Sequence, residues 1–116
     1  MLVINDDLQV KMFKGDTGSI TVSISKNGTP YSFVDVDDTV YFSVKKTLDQ
    51  LTYTLQKTVT TFTDGKAIIT ILPTDTSSLT PGVYFYDIEY VDVSGVVNTL
   101  VEEVEKFVLL GGVKND

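Results

Sequence analysis

The chain has 116 residues, 42% of them hydrophobic and 22% charged, a balance that builds one hydrophobic core, leaves no room for a second domain and is too apolar for intrinsic disorder. It contains no histidine and no cysteine, which removes the commonest general base, the thiol nucleophile, disulfides and the usual ligands of zinc. Its net charge is −7 and every basic side chain is a lysine, so nothing supplies the guanidinium fork that reads phosphates and guanine edges, and neither nucleic acid nor an anionic membrane is expected as a partner.

The first ten residues, MLVINDDLQV, lack the basic start and long apolar stretch of a secretory signal. The longest apolar runs, such as residues 107–110, fall far short of the roughly 18 residues of a membrane span. Leu8, Val10 and Met12 alternate with Gln9 and Lys11, and Ile20, Val22 and Ile24 alternate with Ser19, Thr21, Ser23 and Ser25, so both segments are expected as strands with one wet face. The intervening Lys14-Gly15-Asp16-Thr17-Gly18 is rich in turn formers and predicts a loop or a change of sheet. Asn27-Gly28 predicts a tight hairpin turn, followed by a short strand over residues 31–33. Val40, Phe42 and Val44, then Leu51, Tyr53 and Leu55, each recur with period two and predict two further strands.

Thr63-Asp64-Gly65-Lys66 is again turn-like and leads into a strand with Ala67, Ile69 and Ile71 on one face, ending at Pro73. Residues 74–79 carry N-cap side chains and predict one helical turn, stopped by Pro81-Gly82. Tyr84, Tyr86, Ile88 and Tyr90 share one face of a long strand, with Phe85, Asp87 and Glu89 opposite. Residues 92–95 turn the chain into a last strand that runs from Val96 to Phe107 and Leu109, and the alternation breaks near residues 102–105, where a β-bulge reconciles the two phases. The frequent turns and short alternating runs predict an all-β fold, an immunoglobulin-like antiparallel β-sandwich of seven to eight strands over residues 1–110, with a small barrel as the alternative. Residues 111–116 are expected as a flexible tail.

Leu79-Thr80-Pro81-Gly82-Val83-Tyr84 resembles the tyrosine corner of immunoglobulin-like and fibronectin type III sandwiches, in which the phenol bonds a backbone group upstream. That resemblance makes Leu79, Pro81, Gly82 and Tyr84 a structural set rather than a catalytic one.

No catalytic or cofactor-binding residue is expected. The glycine-rich Lys14–Gly18 stretch lacks P-loop spacing, no GxSxG elbow occurs, and a carboxylate pair for glycoside hydrolysis needs a deep cleft that so small a domain rarely builds. Asp35, Asp37 and Asp38 form the densest acidic cluster; they offer oxygen ligands to calcium or are simply solvated charge between strands. Asn5-Asp6-Asp7 poses the same pair of alternatives. Glu102, Glu103 and Glu105 read as a solvated face or a protected sheet edge, with a regulated interface as the alternative. Six tyrosines, at 31, 41, 53, 84, 86 and 90, make either a sugar-stacking platform or half-buried sheet positions.

Taken in order, Lys14-Gly15-Asp16-Thr17-Gly18-Ser19-Ile20, Lys26-Asn27-Gly28-Thr29-Pro30, Val40-Tyr41-Phe42-Ser43-Val44-Lys45-Lys46, Leu72-Pro73-Thr74-Asp75-Thr76 and Leu79–Tyr84 resemble the N-terminal immunoglobulin-like domain of baseplate upper proteins from phages and prophages of Gram-positive bacteria. The resemblance spans about the whole chain. It implies a virion structural protein, made in the host cytoplasm, that docks on a tail or baseplate hub, and whose partners are other virion proteins or further copies of itself. Members of that family continue into a helical linker and further modules, whereas this chain stops at Asp116, which implies a stand-alone adaptor or a partner on another chain. The apolar end segments, Leu2, Val3 and Ile4 and then Val108, Leu109 and Leu110, are expected to add to a neighbour's sheet. The competing expectation is a surface or secreted sandwich that binds carbohydrate; the missing export signal counts against it.

Overall fold

The computed structural model describes residues 2–4, 9–26, 28–99 and 105–111. In chain order it contains β1 (Leu2–Ile4), β2 (Val10–Phe13), β3 (Gly18–Val22), β4 (Ile24–Lys26), β5 (Thr29–Tyr31), β6 (Thr39–Lys45), β7 (Leu55–Val59), β8 (Ala67–Ile71), the single helical turn α1 (Pro73–Thr76), β9 (Gly82–Val91), β10 (Val97–Thr99) and β11 (Glu105–Leu110). The fold is all-β. There are eleven strands among the described residues where alternation predicts seven to eight, because β1, β4, β5 and β10 have three residues each and so small a run cannot display a period of two.

Seven strands form one sheet in the order β1-β2-β11-β9-β6-β7, with β10 beside β9. The expected wholly antiparallel arrangement is corrected at one seam: β11 runs parallel to β2, Phe107 opposite Val10 through to Leu110 opposite Phe13. The sheet is therefore mixed. Residue alternation is the same for a one-sided parallel or antiparallel strand, so it could not carry this information. Two further sheets are the antiparallel pairs β3–β8, Gly18 opposite Ile71 through to Val22 opposite Ala67, and β4–β5. Val10, Met12, Phe42, Tyr86 and Phe107 from the large sheet and Ile20, Val22, Ile69 and Ile71 from β3–β8 belong to a single buried cluster.

The turn at Lys14-Gly15 moves the chain from the large sheet to the β3–β8 pair, as the sequence allows. Gly15 takes φ 83°, and its N–H donates to the buried Thr76 Oγ1 of α1 at 3.0 Å. The turn at Gly28 joins β4 to β5, with Lys26 opposite Thr29. The strand expected over residues 31–33 thus lies earlier; Phe33 is buried outside it, its N–H held by Gly65 O at 3.0 Å. At Thr63–Lys66 both central residues are left-handed, Asp64 at φ 51° and Gly65 at 74°, the geometry of a two-residue hairpin turn. A Cβ on Gly65 would stand 2.7 Å from Ser32 Cβ, so this position needs glycine twice over. Beyond the turn the arms part, β7 to the large sheet and β8 to its pairing with β3.

The strand predicted from Leu51 begins at Leu55 instead. Leu51 is 97% exposed, and residues 46–54 form a loop organised by the Gln50 side chain, which accepts from Lys46 N–H at 3.1 Å and donates to Thr54 Oγ1 at 3.0 Å. Helix α1 is capped not by a hydroxyl but by Asp75, whose Oδ2 accepts from Leu72 N–H at 2.7 Å and lies 2.7 Å from Lys57 Nζ. The single last strand expected after Val96 is two strands on one edge of β9, Thr99 opposite Glu89 and Glu105 opposite Tyr86. The expected bulge near residues 102–105, the Asn5-Asp6-Asp7 group, Glu102, Glu103 and the tail from residue 112 lie outside the described residues.

Candidate functional site

The connection from β5 to β6 is built on a buried acid. Asp38 is 2% exposed; its Oδ2 accepts from the Tyr31 hydroxyl at 2.6 Å and from Val34 N–H at 2.8 Å, and its Oδ1 from the Tyr90 hydroxyl at 3.2 Å. Lys26 completes the group, its Nζ 3.1 Å from Tyr90 Oη and 3.9 Å from the centre of the Tyr31 ring. A carboxyl group out of water is tolerable when hydrogen-bond donors satisfy its oxygens in this way. The hydrogen bond to Asp38 is the chief reason that the Tyr31 phenol is pushed above the ordinary tyrosine value, whereas for Tyr90 the chief cause is burial.

The rest of the loop is tied down by backbone. Val36 N–H donates to Thr60 O at 2.8 Å, Asp38 N–H to Val34 O at 3.0 Å, and Asp35 Oδ1 accepts from Phe62 N–H at 2.8 Å. Between these anchors Val36 sits at φ 71° and is 80% exposed. A β-branched residue in the left-handed region is strained by about 1–2 kcal/mol, and such strain persists where surrounding contacts over-determine the backbone. An apolar side chain is therefore presented to water from a hydrogen-bonded backbone. Of the two alternatives for Asp35, Asp37 and Asp38, solvated charge is corrected for Asp38, which is buried; the Asp35 and Asp38 carboxyl groups are engaged by protein donors, and among the described residues no group of three acids is placed to hold a metal ion.

At the other end of the large sheet, on its outer face, cross-strand register brings Lys11, Val108 and Val83 into one row. Phe13 beside Leu110, and Lys106 beside Phe85 and Lys45, form the flanking rows. Phe13 is 40% and Val83 44% exposed, while Lys46 turns to the inner side of this end, its Nζ 3.4 Å from Val83 O and 4.5 Å from the centre of the buried Tyr84 ring. The result is an apolar patch rimmed by lysines. It absorbs Val108 and Leu110, while Leu109 is buried in the core. The expectation that Val108, Leu109 and Leu110 add to a neighbour's sheet is corrected, because β11 is hydrogen-bonded to β2 on one side and β9 on the other and has no free edge. Leu2, Val3 and Ile4 form β1, already paired to β2 at the border of the sheet, Leu2 opposite Met12 and Ile4 opposite Val10.

In the Leu79–Tyr84 segment the Tyr84 hydroxyl donates to Thr80 O at 2.7 Å, and Leu79 packs on the core. Burial raises the Tyr84 phenol above its usual value, with the bond to Thr80 opposing. Tyr84, Tyr86 and Tyr90 are all buried, so the six tyrosines do not make one stacking platform. A shallow cleft of about 290 Å³ lies instead where the 46–54 loop meets the sheet, lined by Lys45, Tyr53, Phe85, Asp87 and Glu89 among others. Asp87 is raised above the ordinary carboxylate value by burial, with Lys45 pulling the other way. Sequence reasoning missed this cleft, although it placed Phe85, Asp87 and Glu89 on one face. It also missed Val36, whose available signal was an apolar residue inside the acidic run Val34-Asp35-Val36-Asp37-Asp38.

No protein-family model matches the chain, and no curated protein matches it. Among the described residues no helix is long and apolar enough to cross a membrane.

Proposed function

We propose that this chain is a phage or prophage virion protein, an immunoglobulin-like assembly or adaptor domain of the tail or baseplate that acts by protein–protein contact. Val36 carries the reading. Backbone strain maintained by a buried hydrogen-bond network marks a position kept for use, and the side chain presented there is apolar and exposed, suited to contact rather than to chemistry. Two layers around one core and the Tyr84–Thr80 bond support the immunoglobulin-like architecture, and the ordered series of sequence segments supports the virion assignment.

The test is location. Antibody raised against the purified protein should label the tail end of particles released from the bacterium that encodes it, in immuno-electron microscopy, and should detect the chain in those particles after density-gradient purification. Recovery solely from particle-free cell fractions would overturn the assignment.

A further inference from the structure

We infer that the Val36 loop of one copy docks on the lysine-rimmed apolar patch of a second copy of this chain, so that copies associate head to tail. The inference rests on the assembly role proposed above and names the partner. The two surfaces lie at opposite ends of the molecule. Val83 belongs to the patch, whereas Val91, eight residues further along the same strand, pairs with Thr39 at the entrance to β6, beside the loop; at about 3.3 Å per residue this is roughly 26 Å. One copy therefore cannot bring its own loop onto its own patch.

The chemistry of the two surfaces is complementary. In the loop, exposed Val34 and Val36 alternate with Asp35 and Asp37, and Asp64 and Asp92 occupy the neighbouring connections. In the patch, Phe13, Val83 and Val108 are flanked by lysines. The chain has nine lysines against sixteen acidic residues, yet Lys11, Lys45 and Lys106 gather on the outer face at this one end, against the average charge. Pairing loop with loop would oppose aspartates, and pairing patch with patch would oppose lysines, so either two-fold arrangement is disfavoured. Loop on patch satisfies both apolar surface and charge. Because the loop is already fixed by Asp38 and Thr60, little ordering entropy opposes docking. An interface between two different surfaces leaves one of each free, so it propagates until a ring closes or a filament forms.

The test is sedimentation velocity on the full chain over a wide concentration range, with thermal melts of every variant as a folding control. Wild-type mass should rise with concentration and fall back as salt is added. Val36→Asn, which alters the loop alone, and Lys11→Glu/Lys106→Glu, which alters the patch alone, should each remain monomeric while melting cooperatively. An equimolar mixture of the two variants should form dimers and stop there, since it contains one intact loop facing one intact patch. A monomeric wild type at every concentration, variants that assemble like the wild type, or a mixture that stays monomeric or grows beyond two would each overturn the inference. A monomeric wild type found in purified particles would overturn self-association alone and leave the virion role standing.

Discussion

Replacing Val36 tests whether the exposed loop stores strain. With the residue 80% exposed, roughly a fifth of its surface is buried, so against 1.5–3 kcal/mol for full burial the lost contact is about 0.3–0.6 kcal/mol. Relief of the left-handed penalty returns about 1–2 kcal/mol. Asparagine tolerates this region at little entropic cost, so Val36→Asn should stabilise the fold by about 1 kcal/mol. Glycine adopts it freely but loses about 0.5–1 kcal/mol through the flexibility of the unfolded chain, so Val36→Gly should lie near neutral. For a domain of this size about 1 kcal/mol corresponds to roughly 4 °C in Tm, well within the reach of circular dichroism or calorimetry. The expected order is asparagine above glycine, with glycine close to wild type. Should Val36→Asn melt below wild type, the loop is not strained and the case built on it fails.

Asp38→Ala strands the Tyr31 hydroxyl and Val34 N–H, which lose their carboxylate acceptor, and should cost on the order of 3 kcal/mol in urea denaturation; a loss under about 1 kcal/mol would mean that the network is ornamental to stability. Tyr84→Phe removes just the bond to Thr80 and should cost about 1 kcal/mol, so an unchanged midpoint would deprive the corner of its structural role. Asp87 binds its proton more tightly folded than unfolded, so its contribution to stability falls as pH rises above the ordinary value of 3.8. Asp87→Asn should flatten urea midpoints across that window, and an unaltered slope would place the cause elsewhere. Tyr86, pushed up to about 12 by burial and then by Glu105, holds its proton where the unfolded chain has lost it, so stability should fall as pH climbs past 10.0. Tyr86→Phe should lessen that alkaline loss, and a curve identical to wild type would count against the assignment.

Much of the fold was legible because its causes are local. The period-two burial of Val10 and Met12, of Ile20 and Val22, of Ala67 to Ile71 and of Tyr84 to Tyr90 follows from side chains alternating across a strand. The turns at Gly28 and at Asp64-Gly65 follow from residues that accept positive φ. The loop at residues 46–54 was misread for a related reason: alternation continues back to Leu51, but the Gln50 side chain supplies the bonds that a strand partner would have made.

What tertiary structure alone decided was which segments meet. Parallel pairing of β11 with β2 joins the two extremes of the chain, and no local pattern encodes a partner's direction. Val34-Asp35-Val36-Asp37-Asp38 reads as a solvated run because three aspartates usually stay in water. Asp38 enters the core since Tyr90, 52 residues away, and Tyr31 bring their hydroxyls to it, and that capture fixes the backbone that strains Val36. Propensity, turn chemistry and alternation act over a few residues and can be read in order. The buried charge, the strained loop and the lysine-rimmed patch arise from side chains distant in sequence whose energies exist once the sheets have closed.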